Sequence, residues 1–342
     1  MRARVMAVER LIERILRLYP ADCHPSSAEP WSSPNGFSGA GLWRVTAPRG
    51  ELCLRQWPAR HPTPKRLEFI QAVLWHVVQE GFSLVPLPLE THHHHGYVWH
   101  NGHLWELTPW LPGEANYRRQ PTRQKLRAAM TALAQFHRAA SSFPLAEPGP
   151  LRSPGIAERT ARLEHLLTGG LDQLHAAVAD EDWPEAAGLA RRLLPLARQV
   201  GPKLLPNLQA AGRLRVALQP CLRDIWHPHV LFEDDAVSGI VDFGAMRSDN
   251  VATDVARLLG SLAGDASEDW HFGLTAYQGV RPLSDDEMAL VRAFDSSTVL
   301  LGGLQWLEWI YLDGHEFPCR EAVIGRMEEF AKRLARLAQT VG

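Results

Sequence analysis

The stretch LRDIWHPHVLF (Leu222–Phe232), EDDA (Glu233–Ala236) and VSGIVDFG (Val237–Gly244) decides how this chain is read. Val230, Leu231 and Phe232 are apolar, Glu233, Asp234 and Asp235 signal a turn, and Val237 to Val241 is rich in β-branched residues. The segment therefore reads as one β-hairpin. A hairpin brings the residues before its first strand close to those after its second, which sets Asp224 and Asp242 across a small gap. Two carboxylates held that way divide the labour of phosphoryl transfer. One accepts a hydroxyl proton and the other holds a divalent cation on a triphosphate.

Toward the N-terminus the pattern is a small, strand-bearing lobe. Val8 to Leu18 has helical spacing and stops at Tyr19 and Pro20. Residues 20–35 are rich in Pro, Ser and Ala and read as loop. Two strand-like runs, Leu42–Thr46 and Glu51–Trp57, flank the turn Ala47–Gly50, and Lys65–Glu80 reads as a helix closed by Gly81. A second hairpin, Tyr97–Trp99 and His103–Leu107, turns at Asn101 and Gly102. After residue 113 the composition changes to Leu/Ala/Arg-rich helical segments at 122–141, 155–182, 184–211, 251–263, 267–279, 284–313 and 319–340. The hairpin at 230–242 is the one strand signal among them. The division falls at 1–108 for the N-terminal lobe and 109–342 for a helical lobe carrying the hairpin of residues 222–244.

Asp224, Asp242 and the hairpin between them resemble the catalytic loop and metal-binding segment of the protein-kinase-like superfamily, in particular its aminoglycoside phosphotransferase and choline kinase branch. The resemblance covers about residues 30–265 and implies an α+β, bilobal protein-kinase-like fold. It implies ATP and Mg²⁺ as cofactors and a small-molecule hydroxyl as phosphate acceptor. It casts Asp224 as catalytic base and Asp242 as metal ligand. Asp254 would brace the catalytic loop through backbone hydrogen bonds. The family pattern is His-Gly-Asp followed, after four intervening residues, by a metal-binding Asn. Here Leu222 replaces the His and His229 replaces the Asn. An imidazole nitrogen is a poorer partner than an amide oxygen for a hard cation.

The same resemblance assigns the nucleotide site. Gly36, Ser38, Gly39 and Gly41 precede a strand, where glycine lets backbone N–H groups approach phosphates, although an ordinary hairpin loop has the same composition. Arg55 falls where the family places a strand lysine, and a fixed cation there pairs with phosphate oxygens. Glu68 on the following helix is its candidate ion-pair partner, the alternative being a solvated glutamate. Glu106, Leu107 and Thr108 resemble the hinge whose backbone meets the adenine edge. LAQFH (Leu133–His137) resembles a stretch of the large-lobe helix in which His137 is structural. Trp306, Trp309 and Tyr311 read as core. Glu308, Asp313 and Glu316 lie where relatives bind substrates.

Bulk properties narrow the classes. With 342 residues, 45% hydrophobic and 22% charged, the chain has ordinary globular composition and room for two lobes. A formal charge of −2 argues against a nucleic-acid or anionic-membrane partner, and no apolar run has spanning length. The first residues are charged throughout and read as a helix rather than a signal peptide. Four scattered cysteines suggest neither a zinc site nor a disulfide framework, which points to a reducing cytoplasm. The sequence is silent on oligomeric state. Two rival readings stay open. One is a catalytically impaired nucleotide- or ligand-binding pseudokinase, favoured by Leu222 and His229. The other is a metal-dependent hydrolase built on His227 and His229, whose rings share one side if the segment is extended.

Overall fold

The computed structural model describes residues 2–31, 39–145, 149–178, 183–317 and 319–340, with side chains from residue 8 onward. The chain forms two compact units, residues 1–128 with 228–245, and residues 129–227 with 246–342.

The first unit is built on a five-stranded antiparallel sheet. Helix α1 (Arg2–Leu16) precedes strands β1 (Ser27–Pro30), β2 (Gly41–Ala47) and β3 (Gly50–Gln56). Helix α2 (Pro64–Gln79) and strands β4 (Val98–His100) and β5 (His103–Pro109) follow, and the strand order is β1-β2-β3-β5-β4. Ile12, Ile15 and Leu16 recur at helical spacing on α1 and join Val45, Leu52, Leu54, Trp105 and Leu107 in one core. Burial of each such aliphatic side chain contributes about 1.5–3 kcal/mol. Helix α2 starts where the Thr63 side chain accepts the Arg66 N–H at 3.3 Å with Pro64 in the first turn. It buries Leu67, Ile70, Val73, Leu74 and Val77, and Gly81 takes the left-handed conformation just beyond its end (φ +90°).

The second unit is helical. Helix α3 (Arg123–Ala140) begins in the first unit and runs into it. Then come α4 (Pro154–His165), α5 (Leu171–Ala177) and α6 (Pro184–Ala211), strand β6 (Gln219–Cys221) and, in the first unit, the hairpin β7 (Val230–Glu233) and β8 (Ala236–Ile240). Strand β9 (Arg247–Asp249) and helices α7 (Ala252–Ala263), α8 (Ser267–Gln278), α9 (Asp285–Tyr311) and α10 (Arg320–Thr340) complete the chain. Helix α9 opens with a reciprocal capping box between Ser284 and Glu287.

Three sequence expectations change. Residues 20–35 are not all loop, because β1 pairs with β2 from Ser27↔Thr46 to Pro30↔Trp43. The helix expected over 155–182 is interrupted by a π-turn at Leu166–Gly170, where Gly169 has φ +143°. A second strand pair, β6 with β9, joins Gln219 to Asp249, and three residues per strand are too few for a periodic signal. The two compact units divide at 128/129, and the hairpin groups with the first unit. Specific bonds hold it there. Phe232 and Glu114 exchange backbone hydrogen bonds at 2.9 and 3.0 Å, the Ile240 N–H reaches the Leu84 carbonyl, and the Ser238 hydroxyl donates to Pro112. Among the described residues no helix is long and apolar enough to cross a membrane.

Candidate active site

The expected hairpin forms, with Val230 opposite Ile240, an irregularity at Leu231/Phe232 and a turn through Asp234 (φ +51°). The Val241 N–H donates to the His229 carbonyl at 2.9 Å, so the pairing continues to the residue before Asp242. Asp242 then takes φ +66°, a left-handed conformation that Asp tolerates better than most residues. Two side chains meet its carboxylate. Oδ1 accepts from Arg55 Nη1 at 3.3 Å, and His229 Nε2 lies 3.6 Å from Oδ2.

The side chain of Asp242 is 37% exposed, against 19% for Arg55 and 12% for His229. Burial alone would raise the Asp242 carboxyl, but the Arg55 guanidinium and then His229 outweigh it and hold the group below the ordinary carboxylate value. Burial likewise works against the Arg55 cation, and Asp242 more than restores it. Asp242 is thus an ionised, reachable carboxylate at neutral pH. Arg55 also lies 4.5 Å over the Trp57 ring, a cation–π contact that fixes it on β3. Beyond Asp242 the backbone is held from the same unit. His61 Nε2 donates to the Gly244 carbonyl at 3.2 Å and Arg66 Nη2 to the Ala245 carbonyl at 3.1 Å.

The ion pair expected between Arg55 and Glu68 is replaced. Arg55 meets Asp242, while Glu68 accepts the Tyr97 hydroxyl at 2.9 Å. One turn farther along α2, Gln71 reaches inward and donates to buried Glu106 at 2.7 Å. Glu106 lies opposite Arg55 in the β3–β5 ladder, and burial raises its carboxyl despite Gln71 and Arg55. Leu107 and Thr108 continue β5 opposite Leu54 and Cys53, and the Leu107 carbonyl accepts the Leu89 N–H at 2.8 Å. Gly39 has φ +69° and Gly41 opens β2. Gly36 and Ser38 lie outside the described residues.

In the second unit Asp224 follows Arg223, which has φ +65°. The loop is braced by fully buried Asp254, whose two oxygens accept the backbone N–H of Leu222 at 2.7 Å and of Arg223 at 2.6 Å. Asp254 is oriented by His137, whose Nε2 donates to it at 3.0 Å, and the Tyr277 hydroxyl donates to His137 Nδ1 at 2.7 Å. Burial lowers the His137 value, with the Asp254 bond opposing, so Nδ1 stays free to accept. This relay braces the loop although Leu222 stands at its first position. Asp224 itself is 53% exposed, and Arg257 grips its Oδ1 with Nη2 at 2.9 Å and Nε at 3.2 Å. Arg257 is three residues beyond Asp254 on α7. Asp249, also unforeseen, accepts from Ser153 at 2.6 Å and from the Gly155 N–H at 3.1 Å.

The hydrolase reading of His227 and His229 requires both rings on one side of an extended segment. His227–His229 is a 3₁₀ turn rather than an extended segment, so residues two apart do not share a side. Among the described residues the one cluster of three metal-capable side chains is His137, Cys221 and Asp254. Its donor atoms are already engaged in the relay, and the Cys221 thiol donates to the Asp249 carbonyl at 3.3 Å. Trp306 is buried against Trp309 at 5.0 Å, in keeping with core packing, and Glu308 is paired with Arg162 at 2.6 Å.

The small sheet-bearing unit and the large helical unit are those of a protein-kinase-like phosphotransferase fold. The sequence profile of the phosphotransferase enzyme family matches residues 34–290, and the chain belongs to that family. It is 27% identical over 259 residues to a homoserine kinase of Mesorhizobium japonicum, covering 70% of this chain and 72% of the relative. A homoserine kinase of Rhizobium rhizogenes is also 27% identical, over 68% of this chain and 66% of its own. Among solved structures, the microcompartment-associated aminopropanol kinase superposes with a TM-score of 0.67 at 14% identity over 98% of both chains. An amicoumacin kinase in complex with AMP-PNP, Ca²⁺ and Ami superposes with a TM-score of 0.65 at 13% identity, over 97% of this chain and 96% of that one. The chain is an ATP-dependent phosphotransferase with a hydroxyl group as acceptor.

Proposed function

We propose that the γ-phosphate passes to a small-molecule hydroxyl that Asp224 orients and deprotonates, and that Arg55 holds phosphate oxygens of ATP. The observation that carries this is Asp242, an ionised carboxylate left 37% exposed beside a fixed guanidinium. An anionic oxygen donor of that kind suits Mg²⁺, whereas the imidazole of His229 suits it poorly and serves as a marginal ligand or as a hydrogen-bond donor to Asp242. A bound Mg²⁺ would supply charge neutralisation on the phosphates. The chain's own groups do the rest. Arg55 fixes the triphosphate, Gly39 and Gly41 allow close backbone approach, and Asp254 with His137 keeps the Asp224 loop in place.

Leu107 and Thr108, at the end of β5, are the proposed adenine-edge segment, with Glu106 acting below them through Gln71 rather than on the nucleotide. Four free cysteines support a cytoplasmic setting. The relatives' names span homoserine, aminopropanol and amicoumacin, so likeness alone does not select the acceptor. The test is Mg²⁺-dependent ATP consumption with a panel of small hydroxyl compounds, for wild type, Asp224→Ala and Asp242→Ala. Turnover in wild type that is lost in both variants supports the assignment. Undiminished turnover in either variant refutes its role.

A further inference from the structure

Arg159, on α4, is a partly buried cation that forms no ion pair with a carboxylate among the described residues, while Glu158 before it on the helix pairs with Arg223, the residue before Asp224. Its Nη1 donates to Thr298 Oγ1 at 2.9 Å, Ser297 Oγ at 3.0 Å and the Phe294 carbonyl at 3.4 Å, all neutral oxygens on α9. Its guanidinium lies 5.1 Å over the Phe294 ring. The Nε and Nη2 hydrogens take no part in these bonds.

Each neighbouring arginine, by contrast, is matched. Arg162 pairs with Glu308 at 2.6 Å, Arg257 with Asp224 at 2.9 Å, and Arg247 with Glu158 at 3.4 Å. Arg223 pairs with Glu158 and lies 3.5 Å from Asp249. Burial pushes Arg159 down to about 10, and Arg257, Arg223 and Arg162 push the same way against the opposing pull of Asp249. The side chain is still charged at neutral pH. A desolvated cation among cations is costly unless an anion is brought to it, and a guanidinium with free N–H groups is the donor fork that a carboxylate fits. The position is informative, because Glu158, next to Arg159 on α4, is held to Arg223, the residue before Asp224.

We propose that the acceptor carries an anionic group, a carboxylate in the first instance, and that Arg159 holds it while the acceptor's hydroxyl is presented to Asp224, an inference that rests on the phosphotransfer assignment above. The fixed Ser297 and Thr298 contacts leave the other edge of the guanidinium for the ligand. The acceptor is then a hydroxy acid or hydroxy amino acid rather than an amino alcohol.

The probes are L-homoserine, 4-hydroxybutyrate and 3-amino-1-propanol. They share a primary hydroxyl and a short aliphatic chain, and only the last lacks the carboxylate. Binding is measured by calorimetry with and without Mg–ADP, and turnover by ADP release. The two carboxylates are expected to bind about 10- to 100-fold tighter than the amino alcohol, the range of a charge-assisted hydrogen bond. Arg159→Gln is expected to abolish that preference by raising KM for the carboxylates, with Kd for ADP unchanged. Arg159→Lys, which keeps the charge and loses the fork, should retain part of the preference and serves if the glutamine variant does not fold. Equal binding of the three probes, binding of neither carboxylate, or an unchanged preference in the variants overturns the inference. A loss of ADP affinity in Arg159→Gln would assign the cation to the nucleotide phosphates and overturn it equally. Failure of wild type to bind Mg–ADP would strike the phosphotransfer assignment instead, while the nucleotide-free arm still decides Arg159.

Discussion

Arg55 Nη1 lies 3.3 Å from Asp242 Oδ1, so the cation of the third strand and the carboxylate after the hairpin are each other's counter-ion. The two are 187 residues apart in sequence. In the proposed assignment their pairing joins a phosphate-binding cation to a metal-binding carboxylate within one unit. With more than a third of Asp242 exposed, solvent screens the pair and its net contribution to stability is small. Its consequence is functional. In that assignment a metal on Asp242 and a phosphate on Arg55 would each satisfy one member, and binding both at once would leave neither unpaired. Asp242→Ala should therefore weaken Mg–ATP binding and reduce turnover on the order of a hundredfold or more. Asp224→Ala should reduce turnover about 10²- to 10⁴-fold and leave nucleotide affinity nearly unchanged. Calorimetry with Mg–ADP beside steady-state rates separates the two. Equal nucleotide affinity in the two variants would contradict this division of roles.

His229 Nε2 stands 3.6 Å from Asp242 Oδ2, at the position the family gives to a metal-binding Asn. His229→Asn supplies an amide oxygen in its place. The Mg²⁺-supported rate should be preserved or raised, and the Mn²⁺-supported rate should fall if the imidazole ligates the softer ion. Rates with each metal, compared between wild type and variant, are the check. A collapse of the Mg²⁺ rate would show that His229 does more than stand beside the metal.

Asp254 is fully buried and accepts two backbone N–H groups and His137. Asp254→Ala would strand those donors, and the expected cost is about 3–5 kcal/mol, read as a lowered urea midpoint. Asp254→Asn keeps one oxygen acceptor and should cost less.

The same relay gives a pH dependence. The folded protein holds His137 below its ordinary value of 6.5. As pH falls through that value, the unfolded chain takes up a proton that the folded chain resists. The stability contributed by neutral His137 is complete above about pH 6.5 and declines below it. Thermal melting from pH 7.5 to 5.5 should show this slope, and His137→Gln should flatten it. An identical slope in the variant would remove His137 as its source.

Gly113 has φ +87°, and a Cβ there would fall 2.2 Å from Ser238 Oγ and 2.7 Å from the Phe232 carbonyl oxygen. Gly113→Ala should cost about 1–3 kcal/mol through strain and a disturbed hairpin. Gly50→Ala, at φ +118° in open space, carries the backbone strain without the clash and should be milder. Denaturant midpoints of the two variants measure the difference.

What could be read from the sequence follows the range of the interactions involved. The hairpin was legible because its apolar strands, acidic turn and flanking aspartates are all local, and the structure pairs those two strands. Arg55 was legible from its place in a strand, but its partner was not. Glu68 and Gln71 both lie on α2, and only the buried face of the helix, set by the sheet, makes Gln71 the inward residue. Strands β6 and β9 are three residues each and left no periodicity. Arg257 carried a usable signal, since residues three apart share a helix face and Asp254 was already singled out. Arg159 carried none, because its meaning lies in the lack of a carboxylate among residues far apart in the chain.

The most direct test of the account is transfer of the γ-phosphate itself, followed by phosphorus NMR of a mixture of enzyme, Mg–ATP and an acceptor panel that includes L-homoserine. The account predicts a phosphomonoester on the acceptor's hydroxyl with wild type, none with Asp224→Ala, and none with Asp242→Ala. Tight ATP binding with no phosphomonoester from any acceptor and any divalent metal would contradict it.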